Sequence, residues 1–514
     1  MWLAGLCPEL PPTGRPVPAR NCCPTGRLAP ARSFPYNRRR MRQCLAAGLC
    51  LLSLSCASVS FSPGTPRLMP EDLLGMAHAG SRLSPEEYRL LDDLGAVWMR
   101  KTFQWQEIQP EPGVWDFGPW DEYVDSGLRA GKKILAVLAY DVGWIHGPGE
   151  PPRRNIPPDL LPLYLRYVER VVERYRGKIH AYEIWNEPNW TFWKGRDEDF
   201  FALSRAAAAK IKEIDPAARV VAGSFLRAPA DFIRGMFESG AVEKVDAVSF
   251  HPYAVNPRGA VGLFDKLKKL LGEYGFSGEI WVTEVGYPTG GWYVTRVSEE
   301  EQPAYVMKTL AGLAARGARA IFWYEVFDKY PRGRAPSRLD SELFFGLAYP
   351  DYTRKAGAAA CALFARHAAG ARYRPDRVER VDLSDSVTAM LFAREGAASL
   401  ILWSDGGGRR VRVRMPGRRR LRHPIDREGP GRPVGPVVEL RLESRPVFFR
   451  WEEGGDFPGG EEGPVVVEGL PGDGVGRTPG EEAPEEAPEE GKGLPAGEGA
   501  PGISGGRTPG EGPP

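Results

Sequence analysis

Between about residue 71 and residue 370 the chain repeats one unit: a short run rich in β-branched and aromatic residues, then a stretch of helical periodicity, then the next run. This alternation restricts the fold more than any other property of the sequence. Strands separated by helix-length segments pair in parallel, and a parallel sheet needs helices over its faces. The candidate strands are LLGMAHA near 73–79, AVWMRK at 96–101, KILAVLAY at 133–140 and HAYEIWN at 180–186. Four more follow: RVVAGS at 219–224, VDAVSFH at 245–251, EIWVTEV at 279–285 and ARAIFWYE at 318–325.

The intervening segments carry helix punctuation. SPEEYRLLDDLG offers Ser84 as N-cap, Pro85 at the first helical position, Glu87 at the capping-box position and Gly95 as a stop. LPLYLRYVERVVERYRG spaces Leu163, Tyr167, Val171 and Tyr175 four apart, with Gly177 behind. Eight such units fit an α/β fold of the closed (β/α)8 TIM-barrel kind, spanning 61–370. An open doubly wound sheet is the alternative, and it lacks support because no G-x-G-x-x-G or P-loop follows the first strand.

In a barrel of this kind, function gathers at the C-terminal ends of the strands. Those ends carry Arg100, Tyr140 and Trp144, Asn186 and Glu187, His251 and Tyr253, Glu284, and Trp323 with Glu325. The fourth and seventh strands lie nearly opposite each other, so Glu187 and Glu284 should face one another. Two facing carboxylates can split a glycosidic bond, one protonating the departing oxygen while the other attacks the anomeric carbon. The pair needs different pKa values, and Arg100 beside one glutamate would hold that one ionised. Trp144 and Trp323 offer flat faces on which a sugar ring can stack, and Asn186 can reach a hydroxyl.

Each residue also has a purely structural reading. Glu187 could cap a turn, Glu284 could sit in an ion pair, and Arg100 could be a barrel-interior charge paired to a glutamate. His251, Tyr253 and Trp323 could pack the mouth, and Trp190, Trp193 and Trp292 could be either sugar platforms or loop anchors. No H-E-x-x-H or His/Cys cluster points to a metal, and no cofactor motif is present.

WNEPN at 185–189 and WVTEVGYPT at 281–289, with GAVWMRKTFQWQEIQPEPGVWDF at 95–117, HPY at 251–253 and FWYEVFD at 322–328 before FGL at 345–347, resemble the clan A retaining glycoside hydrolases. The likeness is greatest to the family 39 type of β-xylosidases and bacterial exopolysaccharide endoglycosidases. It covers about 95–370. The resemblance implies O-glycosidic bond cleavage in oligo- or polysaccharides by double displacement, without a cofactor, with Glu187 as acid/base and Glu284 as nucleophile. It further implies that Asn186 binds the 2-hydroxyl, that Arg100 and Tyr253 touch the nucleophile, and that His251 and Trp323 line the subsite of the reacting sugar. The first strand, LLGMAHAG, departs from the pattern by offering few subsite residues. A non-catalytic carbohydrate-binding protein on the same scaffold is the alternative, and exo- and endo-acting modes are both compatible with the sequence.

Beyond the barrel, RVERVDLSD, SVTAMLFAREG, AASLILWSDGGG, RRVRVRMPG, VVELRLES and PVFFRWEE predict a β-sandwich over 371–452. Its basic stretch RRVRVRMPGRRRLRH reads either as a solvated face or as a surface for an anionic polysaccharide or cell envelope. From 453 to 514 Gly, Pro and Glu dominate, predicting a disordered acidic tail. At the other end, residues 1–60 form an extension in which Arg38, Arg39, Arg40 and Arg42 precede an apolar stretch from Leu45 to Leu54 and small residues. That is the layout of a secretory signal at about 41–60, with Cys56 a secondary candidate for lipid attachment, and it predicts a secreted or cell-surface protein. The apolar stretch is too short for a stable membrane span. Of seven cysteines only Cys361 lies past residue 60, in an Ala-rich helical segment where it reads as a small buried residue; six histidines speak against a His-rich metal site, and a net charge of +2, from 68 Lys and Arg against 66 Asp and Glu, gives no basis for nucleic-acid binding.

Overall fold

A computed structural model describes residues 65–333, 340–417, 419–427, 430–452 and 463–470. The secretory signal, the candidate lipid-attachment site and most of the acidic tail lie outside these residues. Among the described residues no helix is long and apolar enough to cross a membrane.

Eight parallel strands close into a barrel: Leu74–Ala77, Trp98–Gln104, Lys133–Ala139, Ala181–Ile184, Arg219–Leu226, Ala247–His251, Glu279–Val285 and Ala320–Trp323. The ring shuts where Leu74 to Met76 pair with Ile321 to Trp323. Inside, Trp98, Leu135, Val221, Trp281 and Phe322 fill the lower barrel as one apolar layer. Gly75 makes room for it, since a Cβ there would stand 2.5 Å from the Phe322 ring.

The helices form where caps and stripes agree. Helix Pro85–Asp93 starts at Ser84, whose hydroxyl accepts the Glu87 N–H, and Gly95 follows it at φ 71°. The Glu87 carboxylate does not complete a capping box: it turns back to accept the N–H groups of Gly80, Ser81, Arg82 and Leu83, and so fastens the loop leaving the first barrel strand. Helix Leu161–Arg174 buries Tyr164, Tyr167, Val168, Val171 and Val172. The sequence reading put Leu163 on that stripe, whereas it is exposed; a 3.6-residue period moves the buried face to Tyr164. Each apolar side chain fully buried this way contributes about 1.5–3 kcal/mol.

Two packed sheets follow the barrel. A seven-stranded sheet runs Arg67–Leu68, Arg372–Tyr373, Val387–Arg394, Ala397–Ser404, Val447–Glu452, Arg419–His423 and Arg432–Pro433, and a four-stranded sheet runs Val378–Val381, Val465–Gly469, Arg409–Arg414 and Val437–Leu442. Leu400, Leu402, Phe449 and Trp451 of the first meet Val411, Val413, Leu442 and Val467 of the second. The opposite face of the larger sheet, with Phe392, Ile401, Trp403 and Phe448, merges into the core around the barrel helices. Asp405 adds polar ties there, accepting from Lys308 at 2.6 Å and Arg258 at 3.2 Å. Cys361 is buried in helix Ala356–Ala368, and burial pushes its thiol up to about 12.

Two boundaries differ from the sequence reading. Arg67–Leu68, assigned to the barrel segment, pairs with Arg372–Tyr373 in the accessory sheet. Val465–Gly469, assigned to the disordered tail, is a strand between Val378–Val381 and Arg409–Arg414. Both segments are too short to show a period of their own; Arg67–Leu68 extends one edge of the larger sheet, and Val465–Gly469 joins two strands of the smaller one.

Candidate functional site

Strand alternation puts Arg100, Glu183 and Ser249 inside the barrel, one layer above the apolar floor. Arg100 is the hub. Its guanidinium donates to Glu183 at 2.6 Å, to Glu284 at 2.5 Å and to the Asn186 side-chain oxygen at 2.9 Å. Glu183 receives the Ser249 hydroxyl on its other oxygen at 2.6 Å. The sequence reading raised an interior pairing of Arg100 with a glutamate and also a contact with Glu284; the guanidinium reaches Glu183 and Glu284 at once.

Irregular backbone brings the remaining groups into the mouth. Val282 pairs with Ile321 and Val285 with Trp323, so Thr283 and Glu284 together oppose a single residue, Phe322. This bulge turns both side chains inward. A second shift between Ala222 and Phe225 brings in Ser224 at φ 46°. Trp185 at φ 67° and Glu187 at φ 45° also occupy the left-handed region, where side chains are strained, and the Ser224 carbonyl holds the Glu187 N–H at 3.0 Å. Asn189 clamps this turn through paired hydrogen bonds to the Leu226 backbone.

Glu187 and Glu284 come together. One oxygen from each and a nitrogen of His251 all lie within 4.8 Å of one another. His251 Nδ1 is 2.8 Å from Glu187 and 3.7 Å from Glu284, while its Nε2 is 3.2 Å from the Thr283 and Ser224 hydroxyls. With a proton on Nδ1, the ring donates to Glu187. Tyr253 donates its phenol to Glu284 at 3.0 Å. Burial pushes the Glu284 carboxyl upward, but the charges of His251, Arg100 and His78 and the Arg100 hydrogen bond outweigh it and hold the group well below the usual carboxylate range. Burial also drives the Tyr253 phenol far up, so it remains a donor.

The same triad is the arrangement, among the described residues, in which carboxylates and an imidazole could share a cation. Arg100 donates to Glu284 from within the barrel and would oppose a second positive charge at that position.

Two aromatic assignments change. Trp323 does not line the mouth. It is 1% exposed, packs against Tyr287 at 6.3 Å and faces the helices, because Ala320 and Phe322 take the inward positions of its strand. Tyr324, one residue on, takes the inward place beside Tyr253 and Phe345, and its hydroxyl donates to Glu342 at 3.0 Å. Gly286 permits this, since a Cβ there would meet the Tyr324 carbonyl at 2.0 Å. Trp144 is half-buried, edge-on to Trp105 at 5.8 Å, with its indole N–H on the Gln109 carbonyl at 3.1 Å; none of its contacts is with the two carboxylates. Of the loop tryptophans, Trp193 is fully buried and serves as an anchor, while Trp190 and Trp292 keep exposed faces.

The first strand supplies more than the sequence suggested. His78, just past its end, pairs with Glu325 at 3.2 Å and stands edge-on to Tyr324 at 5.0 Å. Glu183, Ser224, Ser249 and Thr283 were also missed. A charged residue alternating with Ala181 inside an apolar strand was the signal for Glu183; bulge residues such as Ser224 leave none.

The comparisons with known proteins agree with this architecture. Solved structures similar to the chain include a family 39 glycoside hydrolase from the gut symbiont Bacteroides cellulosilyticus WH2, at 21% identity and TM-score 0.60, covering 74% of this chain and 81% of that one. A monomeric beta-xylosidase from Caulobacter crescentus CB15 matches at 17% identity and TM-score 0.54 over 77% of this chain and 98% of that one. The chain shares its fold with these two proteins. A family 30 endoxylanase from Clostridium papyrosolvens C71 shares it as well, at 14% identity and TM-score 0.52, over 76% and 98% of the two chains. Among curated proteins, a Beta-1,4-xylanase from Dictyoglomus thermophilum is 31% identical over 123 residues, 23% of this chain. The match spans 33% of that xylanase's length. No family model matches the chain.

Proposed function

We propose that the protein is a retaining O-glycoside hydrolase that works by double displacement, with Glu284 as nucleophile and Glu187 as acid/base. The observation that carries this reading is the approach of the two carboxylates, with oxygens within 4.8 Å. Retaining enzymes hold their carboxyl groups about 5–5.5 Å apart, and inverting ones leave about 6.5–9.5 Å for a water. The environments divide the labour. Glu284, ionised and oriented by donors on both oxygens, attacks the anomeric carbon; Glu187, held by His251, protonates the departing oxygen and then activates water. Asn186, its side-chain oxygen fixed by Arg100, presents its amide to the sugar's 2-hydroxyl. A sugar-binding protein would need neither a Glu284 held ionised by its surroundings nor the close approach of the two carboxylates.

Xylan and xylo-oligosaccharides are the first substrates to try, since similar proteins carry xylosidase and xylanase names. Secretion belongs to the same proposal and rests on the sequence at 41–60. The test is hydrolysis of aryl xylosides and xylan with the product anomer followed by NMR. Retention is expected, with Glu187→Gln losing roughly 10²–10⁴-fold in turnover on poor leaving groups and Glu284→Gln losing at least as much. An inverted first product, or undiminished turnover in either variant, would overturn the assignment.

A further inference from the structure

Where the last barrel helix meets the seven-stranded sheet, three arginines and two histidines collect with few carboxylates near them among the described residues. Arg366 and His367 stand in the final turn of helix Ala356–Ala368. Arg394 ends its strand and donates to the Ala369 carbonyl just past that helix. Arg450 lies between Ser399 and Leu421 on the neighbouring strands, and His423 pairs with Phe448. The rings of His367 and His423 are 6.0 Å apart, each against Phe448, at 5.1 and 5.8 Å.

Repulsion inside this group is evident. Burial first, then the charges of Arg450 and Arg366, depress both imidazoles; His423 and Arg394 add to the effect on His367, which is pushed down to about 3. Burial and Arg450 likewise lower Arg394, against which Glu71 is the carboxylate that acts. Neither Arg366 nor Arg450 has a hydrogen-bonded carboxylate among the described residues, and the His423 Nε2 is buried without a partner. The helix C-terminus favours some positive charge, and Arg394 satisfies its carbonyl, but that accounts for one guanidinium of three.

The contrast lies on the same domain. In strand Arg409–Arg414, Arg412 pairs with Glu439 at 2.6 Å and with Glu468 at 3.1 Å, and Arg414 pairs with Glu468 at 3.1 Å. Two arginines of the stretch that looks most basic in the sequence are therefore paired within their own sheet. The uncompensated charge is assembled from three distant segments.

We propose that Arg366, Arg394 and Arg450 form a binding site for the carboxylates of an anionic polysaccharide, separate from the barrel mouth. The choice of a saccharide polymer rests on the glycosidase reading; the need for an anion does not. The site would hold the protein on an acidic polymer while the mouth works on a chain nearby.

The test is gel electrophoresis of the full chain through polygalacturonate, with dextran as the neutral polymer. Polygalacturonate should retard the protein and dextran should not, and half-molar salt should abolish the retardation because exposed charges are then screened. Arg366→Ala/Arg450→Ala should weaken binding at least tenfold, and Arg366→Lys/Arg450→Lys should keep most of it. Both pairs should retain wild-type turnover on a soluble aryl glycoside, which separates this site from the mouth and shows that the variants fold. Equal migration in both gels, or equal retardation of the alanine variant, would overturn the site. Displacement of polygalacturonate from these arginines by phosphatidylglycerol vesicles at lower charge concentration would overturn the choice of polymer and indicate a membrane surface. If neither glutamate variant alters turnover while polygalacturonate binding persists, the mechanism fails and this site survives.

Discussion

Arg100→Met is the perturbation that most directly tests the electrostatics of the barrel. Methionine keeps an unbranched chain of similar length but removes the guanidinium that bonds Glu183 at 2.6 Å and Glu284 at 2.5 Å. Glu183 is then left with the Ser249 hydroxyl and no cation, and removing one partner from a buried pair costs about 3–5 kcal/mol. The loss should depend on pH in a particular direction. In the native protein the folded Glu284 carboxyl lies below its unfolded value of about 4.3. It contributes stability that is present above that value and fades as pH falls through the folded pKa. Without Arg100, burial is opposed less strongly and the folded pKa rises, and each unit of rise removes about 1.4 kcal/mol at neutral pH. Protonation in acid relieves the trapped charges, so the difference between variant and wild type should be greatest near neutrality and shrink by half or more at about pH 4. Urea unfolding followed by tryptophan fluorescence at both pH values measures it. A difference that is the same at both, or that grows in acid, would show that Arg100 matters through packing rather than charge.

Other outcomes follow from the geometry. Tyr253→Phe removes one donor from Glu284, so the acid limb of kcat/KM, expected in wild type below the ordinary glutamate range, should move upward; an unmoved limb would detach Tyr253 from Glu284. Trp323→Ala should cost about 3–5 kcal/mol in stability with KM little changed, while Tyr324→Ala should raise KM more than it lowers the melting temperature; the reverse pattern would restore Trp323 to the mouth. Truncation before Val465 should lower the melting temperature by exposing the edge of strand Arg409–Arg414, and an unchanged melt would make Val465–Gly469 dispensable.

Much of this protein could be read from its residues, and the exceptions share a cause. The barrel strands stand out because each is an apolar run bounded by helix signals, and Glu187 and Glu284 because a carboxylate at the tip of such a run is costly unless used. The error at Trp323 is an error of side. Alternation assigns inward and outward places only once a strand's register is known, and the bulge at Thr283–Glu284 shifts that register beside it. Glu87 shows the same limit, since its place in the sequence fits a capping box but its carboxylate serves a loop wound back over the helix start. The charge cluster around Arg450 was invisible because its members are brought together by the packing of a sheet on a helix.

The strand Arg67–Leu68 gives the chain an unusual seam. Just before the first barrel strand and just after the last barrel helix, the backbone is sewn to itself: Met69 donates to the Ala371 carbonyl at 2.8 Å, and Gly370 to the Pro70 carbonyl at 3.1 Å. The polypeptide's entry to the barrel and its exit are thereby knotted at one place, on the rim of the appended sheet. Anyone cutting the two parts asunder for engineering would untie the hem of the barrel along with the appendage, and a graft that keeps residues 65–69 with the sandwich, rather than with the barrel, will leave both pieces with a frayed border.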